Sequence, residues 1–549
     1  MPDQPQPTDQ VTLNIDGQEV TVPPGTNLIE AARKLGVEIP HFCYHPRLSI
    51  AGNCRMCLVD IEKVPKNQIA CSTKVAPGMI VRTRSEKAIK AREGVMEFLL
   101  INHPLDCPIC DQAGECVLQD YSFRFGTGGS RFEGEKVHGE KGVLLGPHIV
   151  FDAERCIKCT RCIRFCDEVT HTSELGYFNR GDHSIIGTFP GRSLDNLYSG
   201  CTADICPVGA LTVKEFRFKK RVWFLKNTAS ICAGCARGCN VNLGIDENRI
   251  WRMKPRENDA VNGSWMCDEG RFSYQRYQVD DRLMRAVSAA EEAAGGGRDL
   301  QAESAWEQAA ARLAEIARQH GGAAVAAITS GHATVEEQHA LRELIQRVGG
   351  TRIALPVHEH GEDDDLLLRK DKTANSAGAR LVGGANIKLE DLIAAVETGK
   401  IRALVVLRED VLEGLGERGK KMREALDFLL VLDWRATRTA QAADLALPVT
   451  AYGEQDGSLV NFQGRMQLLR PGLRPPGEAD PAWKPLYEIA ARLEGAPFEV
   501  PKSFREAFRR AVAQVPGLSG LDTPALGKAG VSIEPALTGR GGPSIEGRS

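Results

Sequence analysis

Long hydrophobic runs are missing from this sequence of 549 residues. Its most apolar segments, EFLLIN and RALVVL, fall far short of the roughly 18 consecutive apolar residues that span a bilayer. The N-terminal sequence MPDQPQPTDQ also lacks the basic patch and apolar run of a secretory signal, so we do not expect export. Any association with a membrane is therefore expected to run through partner proteins.

A strong charge of either sign is missing as well, because 69 basic residues nearly balance 72 acidic ones. This balance argues against a polyelectrolyte partner such as DNA. No Gly-rich dinucleotide fingerprint follows a predicted strand, and no nucleophile–base constellation stands out. The sequence therefore gives no substrate site, while its length predicts roughly three to five domains.

Cysteine is absent from the chain after Cys267, although the sequence contains 17 cysteines. All of them lie between Cys43 and Cys267. In a reducing cytosol such a concentration indicates metal ligation rather than disulfides. We therefore expect the N-terminal part of the chain to bind metal and the C-terminal part not to.

The first group of ligand-type residues follows a segment that reads as a small sheet with one helix. Strands VTLNI and EVTVP flank the hairpin dipeptide Asp16-Gly17, and the helix LIEAARKL begins at a capping-box-like Asn27 and Glu30. The group consists of Cys43, Cys54, Cys57 and Cys71. These thiolates can hold a [2Fe–2S] cluster with two per iron, or a structural zinc ion with four.

The second group follows a helical segment, EKAIKAREGVMEFLLIN, which is predicted to end at His103-Pro104. Its members are His103, Cys107, Cys110 and Cys116. One histidine and three cysteines could hold a zinc ion, and a lone histidine usually has a structural role.

The third group has the spacing of bacterial ferredoxins, in which a cysteine triplet and a remote Cys-Pro close around a [4Fe–4S] cluster. Its members are Cys156, Cys159, Cys162 and Cys206. Cys166 also fits the repeat, but the partner triplet of a second cluster is missing. We interpret Cys166 and Cys201 as thiols left near a vacated site, with ordinary buried cysteines as the alternative.

After the fourth group, predicted strands and helices alternate in the C-terminal half of the chain, which indicates a parallel α/β sheet. The group consists of Cys232, Cys235, Cys239 and Cys267. It resembles the N-terminal [4Fe–4S] subdomain of molybdopterin oxidoreductases, and stretches such as KTANSAGA and ADLALPVTAYGEQDG resemble the sheet domain of that family. The region is short for a full pterin pocket and contains no later cysteine to bind molybdenum, so we expect a vestigial scaffold without molybdopterin. A serine or aspartate ligand to molybdenum is the alternative.

The order of the four groups resembles the large iron–sulfur subunit of bacterial NADH:quinone oxidoreductase, respiratory complex I, over about residues 10–490. The string HPLDCPICDQAGEC resembles the His-ligated [4Fe–4S] motif of complex I and hydrogenases, and the long first gap between Cys43 and Cys54 resembles the same families. The resemblance implies one [2Fe–2S] and three [4Fe–4S] clusters, with His103 as an iron ligand.

The implied fold class is a multidomain α+β and α/β protein: a β-grasp [2Fe–2S] ferredoxin-like domain, a ferredoxin-like [4Fe–4S] domain and a shortened molybdopterin-oxidoreductase-like α/β domain. The predicted domains are 10–88 for the β-grasp, 89–130 for the His-ligated segment, 150–225 for the ferredoxin-like domain, 226–285 for the fourth-cluster subdomain, 300–495 for the α/β domain and 515–549 for a flexible tail.

The resemblance also implies a function. Electrons would arrive from the FMN- and NADH-binding flavoprotein subunit, enter at the [2Fe–2S] cluster, pass the two following cubanes and leave toward quinone, with the fourth cubane as a side station. The implied partners are that flavoprotein, the small [2Fe–2S] subunit and the quinone-module subunits, on the cytoplasmic side of the bacterial inner membrane. An electron-input subunit of a NAD-linked formate dehydrogenase or hydrogenase is the alternative, although those usually keep a second ferredoxin cluster.

Overall fold

The structure is a computed structural model that describes residues 10–289, 299–516 and 518–533. The chain divides after Leu225 into two compact units, and the second begins at Lys226. Within the described residues, no helix is long and apolar enough to cross a membrane. The Gly-rich sequence EEAAGGGRDLQAE predicts a linker between the fourth group and the α/β domain, and most of it lies outside the described residues.

The first unit begins with the predicted β-grasp, a five-stranded sheet. Its strands in spatial order are Gln18–Val22, Val11–Ile15, Ile80–Arg82, Leu58–Ile61 and Gln68–Ile69. The first two strands in the sequence pair antiparallel, and Val11–Ile15 pairs parallel with Ile80–Arg82. Alternation along Val11–Ile15 buries Leu13 and Ile15 in the core, as period-two patterning requires.

The helix Leu28–Lys34 covers this sheet and begins where the sequence predicts. The Asn27 side chain accepts a hydrogen bond of 3.0 Å from the Glu30 backbone N–H, which satisfies one of the free donors of the first turn. The chain leaves the helix at Gly36, whose φ of +71° favours glycine.

The next helix, Glu86–Leu100, is tied to the sheet by a buried arginine. The Arg92 guanidinium donates to the carbonyl oxygens of Leu58 and Thr83 at 2.8 and 2.9 Å. A 3₁₀ turn at Cys107–Ile109 and the helix Val117–Phe125 follow. The loop of the second ligand group is therefore anchored at both ends.

The ferredoxin-like part contains two small antiparallel sheets and two short helices. Strands Val143–Leu144, Ile149–Phe151 and Leu211–Val213 form one sheet, and Leu175–Phe178 pairs with Ile185–Thr188 in the other. The helices are Arg161–Glu168 and Gly200–Asp204, with 3₁₀ turns at Gly181–His183 and Val222–Phe224.

The second unit begins with an antiparallel meander of three strands. The strands are Lys226–Ile231, Asn240–Asp246 and Arg249–Pro255, and they are followed by the helix Asp268–Phe272 and the 3₁₀ turn Ser273–Tyr277. The fourth ligand group lies on this meander and at the start of that helix.

A seven-stranded sheet forms the centre of the second unit. Its strands in spatial order are Asp299–Leu300, Ala286–Ser288, Leu445–Pro448, Phe428–Asp433, Ala403–Leu407, Val325–Ile328 and Arg352–Ala354. The five strands from Leu445–Pro448 to Arg352–Ala354 pair in parallel, and the other two pair antiparallel. The central strands are buried along their whole length, as expected of a sheet with both faces covered. The predicted α/β architecture is confirmed.

The described part of the second unit also contains further helices. They are Ala302–His320, Val335–Arg347, Ser376–Val382, Leu389–Glu397, Val411–Leu415, Glu417–Glu424, Arg438–Gln441, Trp483–Arg492, Phe504–Ala513 and Thr523–Leu526, with a 3₁₀ turn at Gly322–Ala324. Thr334 and Glu337 form a reciprocal capping box at the start of Val335–Arg347.

The prediction of a flexible tail from residue 515 is wrong for residues 518–533. Strand Val531–Ser532 pairs with Arg465–Leu469, which itself pairs with Gly457–Val460. Leu518, Leu526 and Ile533 are buried in one apolar cluster with Phe508. These scattered apolar residues fix a segment whose Gly and Pro content suggested a tail. Residues 534–549 lie outside the described residues.

Candidate metal centres

The first ligand group forms two pairs of thiols in the loops around the β-grasp sheet. All four cysteines are buried. A hydrogen bond with the Cys54 thiol lowers the pKa of Cys43 to about 5, and a hydrogen bond with Cys57 lowers the pKa of Cys71. Two separate pairs are the arrangement that a [2Fe–2S] rhomb requires, because each iron takes two thiolates.

The second group gathers where the helix Glu86–Leu100 ends. His103, Cys107 and Cys116 line one cavity, which Cys110 does not line. Burial, together with the nearby charges of Cys110 and Cys107, raises the pKa of Cys116 to about 11. Cys110 therefore lies close to the other members of the group. Burial lowers the pKa of His103 to about 4, which keeps the imidazole neutral and its lone pair free for a metal.

A glycine makes room for Cys110. A Cβ atom on Gly209 would lie only 2.4 Å from the Cys110 Sγ atom. Arg221 donates to the Cys110 carbonyl oxygen at 2.7 Å and also to that of Pro108. These contacts hold the second ligand loop against the chain that follows Cys206.

The third group encloses a cavity of its own, which is lined by Cys156, Cys159, Cys162 and Cys206. Lys158 and Thr160 adopt left-handed φ values of +57° and +61°, so the chain coils tightly between the first three ligands. The Lys158 N–H donates to the Cys156 Sγ atom at 3.4 Å. Burial raises the pKa of Cys206, although N–H groups of Val208, Leu211 and Ala210 counteract it.

The fourth group encloses a second cavity lined by four cysteines, in the second unit. Its members are Cys232, Cys235, Cys239 and Cys267. The Gly270 N–H donates to the Cys267 Sγ atom at 3.2 Å, and a Cβ atom on Gly270 would lie 3.0 Å from the Cys232 Sγ atom. Backbone glycine therefore approaches the sulfur atoms more closely than another residue could.

The donor sets fit iron–sulfur clusters. Buried thiols whose pKa values are raised need a compensating cation before they ionise, and cluster iron supplies one. A cavity lined by four cysteines, as in the third and fourth groups, can take an iron–sulfide core in which each iron binds one thiolate, whereas a zinc ion would bind all four thiolates itself.

Cys166 and Cys201 stand apart from the third group. Both are fully buried, Cys166 on the helix Arg161–Glu168 and Cys201 on Gly200–Asp204, and neither lines the four-cysteine cavity. Burial, followed by the negative charge of Glu174, raises the pKa of Cys166. Their interpretation as non-ligands stays a prediction.

Several residues beside the candidate ligands were not predicted from the sequence. The clearest are Arg155, Arg161 and Arg164, whose guanidinium groups bind chain segments next to the cysteines. The feature that could have identified them is the presence of basic residues between the cysteines, as in ERCIKCTRCIRFC. The segments that these arginines bind lie far away in the sequence, so the pairings could not be read from it.

Five protein-family models match successive parts of the chain. They describe a 2Fe-2S iron-sulfur cluster binding domain at 8–86, an NADH-ubiquinone oxidoreductase-G iron-sulfur binding region at 92–131, an NADH-quinone oxidoreductase subunit 3 ferredoxin-like domain at 146–212, a molybdopterin oxidoreductase Fe4S4 domain at 225–278 and a molybdopterin oxidoreductase domain at 368–492. The predicted fold class is confirmed.

Curated relatives agree with these models. The G subunit of the NADH-quinone oxidoreductase of Rickettsia felis is 43% identical over 348 residues, which cover 63% of this chain and 50% of that protein. The Rickettsia conorii protein of the same name is 42% identical over 347 residues, with the same coverage. The chain thus spans about half the length of these relatives.

A chain in the crystal structure of a NAD+-reducing [NiFe]-hydrogenase in the H2-reduced state is 28% identical, over 39% of this chain and 91% of that chain. Its TM-score of 0.34 is too low to argue a shared fold. The family models and the curated relatives confirm the resemblance to the large iron–sulfur subunit. The chain is therefore a homologue of the G subunit of NADH-quinone oxidoreductase, with [2Fe–2S] and [4Fe–4S] binding domains ahead of a molybdopterin oxidoreductase domain.

Proposed function

We propose that this chain is the iron–sulfur electron-relay subunit of an NADH:quinone oxidoreductase, respiratory complex I. In this role it passes single electrons from a flavin-bearing NADH subunit toward quinone. The four ligand groups hold one [2Fe–2S] and three [4Fe–4S] clusters, about 14 irons per chain. When bound, these clusters supply reversible one-electron chemistry, and the chain itself needs neither an NADH nor a quinone site.

The observation that carries this proposal is the direct contact between the ligand loops of the first unit. Arg164 donates hydrogen bonds to the carbonyl oxygens of Cys43 and Cys159 at 2.6 and 3.3 Å, and so bridges the first and third groups. The Val117 N–H, next to Cys116, donates to the carbonyl oxygen of Pro207 at 3.1 Å and connects the second and third groups. Electron tunnelling falls steeply with distance, so ligand loops in contact are what a relay needs.

The residues around the ligands exclude water and set the electrostatic field. Backbone N–H groups of Lys158 and Gly270 point at cysteine sulfur atoms, and such hydrogen bonds favour the more negative, reduced state of a cluster. Burial of the thiols works in the opposite direction, because a low dielectric disfavours added negative charge. The balance between these effects gives each site its own potential.

Exposed apolar side chains near the second group support a role in a larger assembly. Phe98, Leu105 and Phe123 are 78%, 86% and 84% exposed. Large apolar side chains left in water at one place mark protein contact sites. We assign such contacts to the partner subunits of the complex: the FMN- and NADH-binding flavoprotein, the small [2Fe–2S] subunit and the quinone-module subunits. The chain then sits peripherally on the cytoplasmic side of the bacterial inner membrane.

The molybdopterin-type domain acts in this proposal as a scaffold without molybdopterin. Its buried polar side chains bind one another: Arg408 pairs with Glu337 at 2.6 Å, and the Ser458 hydroxyl donates to Glu336 at 2.7 Å. No cysteine follows Cys267 in the sequence to bind molybdenum.

Copurification tests the proposal. An affinity tag on this chain in its native host should retain a flavin-bearing NADH dehydrogenase subunit together with quinone-module subunits, and NADH should reduce the clusters of the purified assembly. Recovery of formate dehydrogenase or hydrogenase catalytic subunits in their place would replace the proposal with the alternative function.

A further inference from the structure

Two arginines on the helix Arg161–Glu168 lie between the ligand loops of the first and third groups. Arg161 and Arg164 are three residues apart, so their side chains leave the same face of the helix. They flank Cys162, a ligand of the third group. Neither forms an ion pair with a carboxylate among the residues that the structure describes.

Arg164 binds both ligand loops at once. Its NH2 atom donates to the carbonyl oxygen of Cys43 at 2.6 Å and to that of Cys159 at 3.3 Å. Its NH1 atom donates to the carbonyl oxygen of Ser49, and its Nε atom to the Thr160 hydroxyl at 3.3 Å. The side chain is 9% exposed, and every acceptor is a neutral group.

Arg161 binds the same two loops one helical turn earlier. Its NH2 atom donates to the carbonyl oxygen of Tyr44, next to Cys43, at 2.5 Å. Its NH1 atom donates to that of Ile205, next to Cys206, at 3.1 Å. Its Nε atom is buried without a hydrogen-bond partner, and the residue lines the cavity of the third group.

A buried guanidinium group (Arg164) and a half-buried one (Arg161) without carboxylate partners favour a nearby anion, because a charge removed from water without a partner is costly. Arginine stays protonated in proteins, so it does not escape this cost by losing its proton. Four thiolates around an iron–sulfide core carry the missing negative charge, and that charge grows by one unit on reduction. The unpartnered Nε–H group of Arg161 is a donor available to a cluster sulfur atom.

We propose that Arg161 and Arg164 are positioning residues that set the reduction potentials and the separation of the [2Fe–2S] cluster and the ferredoxin-like cubane. Arg161 donates its Nε–H group to a sulfur atom of the cubane. Arg164 ties the Cys43 and Cys159 loops together and holds a positive charge between the clusters. This inference rests on the proposed function, since it requires both clusters to be assembled.

Redox titrations followed by EPR on the intact assembly test this inference. Arg164→Gln should make both clusters about tenfold harder to reduce, a downward shift of about 59 mV for one electron. Arg161→Gln should shift the cubane more than the [2Fe–2S] cluster. The matched control is Arg180→Gln, which removes the same charge from an exposed arginine of the ferredoxin-like part and should shift neither midpoint.

Arg164→Lys keeps the positive charge but removes the guanidinium group that binds the Cys43 and Cys159 loops together. It should leave both midpoints near their wild-type values but weaken the magnetic coupling between the two reduced clusters, because lysine cannot bind both carbonyl groups in one plane. Unchanged midpoints in Arg161→Gln and Arg164→Gln, or equal shifts in Arg180→Gln, would overturn the inference alone. Loss of both clusters in Arg164→Lys as well as Arg164→Gln would also overturn it, in favour of a purely structural role. Absence of both clusters from the wild-type assembly would overturn the proposed function with it.

Discussion

The Arg155 guanidinium binds the Asp106 carboxylate through two hydrogen bonds, of 2.5 Å from NH2 and 3.3 Å from Nε. Asp106 directly precedes the proposed ligand Cys107, and Arg155 directly precedes the proposed ligand Cys156. Arg155 is 3% exposed. This ion pair therefore clamps the loop of the second ligand group onto that of the third.

Asp106→Asn should loosen this clamp. The change removes the nearer of the two carboxylates beside Arg155 and leaves only the pair with Asp152 at 3.4 Å, so we expect a cost of about 2 kcal/mol. We expect the His-ligated cubane to be lost faster on heating, which EPR at timed intervals would measure. Glu86→Gln, which breaks the exposed pair with Lys90 away from the cavity of the second group, is the control and should leave the rate unchanged. Equal rates in Asp106→Asn and wild type would refute the clamp.

His103 is predicted to be an iron ligand. A neutral imidazole in place of a thiolate removes one negative charge from the cluster and raises its potential, as two histidines do in Rieske centres. His103→Cys should therefore keep a cubane with a lower midpoint, and His103→Ala should weaken or lose that one cluster while the other three remain. An unaltered spectrum and unaltered midpoints in His103→Ala would return His103 to a structural role.

Gly209→Ala should disturb the same cubane from the other side. The added methyl group would meet the Cys110 Sγ atom at 2.4 Å, and a sulfur atom bound to iron cannot move away cheaply. We expect reduced occupancy of the His-ligated cubane by EPR and iron analysis. Gly414→Ala in the second unit is the matched control, because a Cβ atom there meets nothing within 4 Å. Full occupancy in Gly209→Ala would show that Cys110 is not held where the structure places it.

The double variant Cys166→Ser, Cys201→Ser should keep every cluster, because neither thiol lines the cavity of the third group. Its spin count and its electron transfer from NADH to quinone should nearly match the wild type. Cys159→Ser provides the contrast, since it removes a proposed ligand and should cost the ferredoxin-like cubane. Loss of a cubane signal in the double variant would make one of the two cysteines a ligand.

Local patterns in the sequence predicted much of the fold. The hairpin at Asp16-Gly17, the helix that begins after Asn27 and the buried parallel strands of the second unit all follow from periodicity and capping, which act within a few residues. The four ligand groups stay predictions, and the structure brings the four cysteines of the third group, and those of the fourth, to one cavity each.

Contacts between distant segments were not predictable in this way. Arg164 lies 121 residues from Cys43, and Asp106 lies 49 residues from Arg155. Nothing in either local sequence marks the partner, since an arginine on a short helix is usually solvated. The prediction of a tail after residue 515 is wrong for a related reason. Leu526 and Ile533 are isolated apolar residues in the sequence, and they are buried only because the segment packs beside the strand Arg465–Leu469.

We propose that this chain relays electrons through one [2Fe–2S] and three [4Fe–4S] clusters. The most direct test is iron analysis combined with EPR on the anaerobically purified assembly before and after addition of NADH. We expect at least about 14 irons per assembly, a [2Fe–2S] signal and three cubane signals that each disappear with their own ligand variant of this chain, and reduction by NADH. Zinc as the chief metal, or clusters that NADH leaves oxidised, would contradict it.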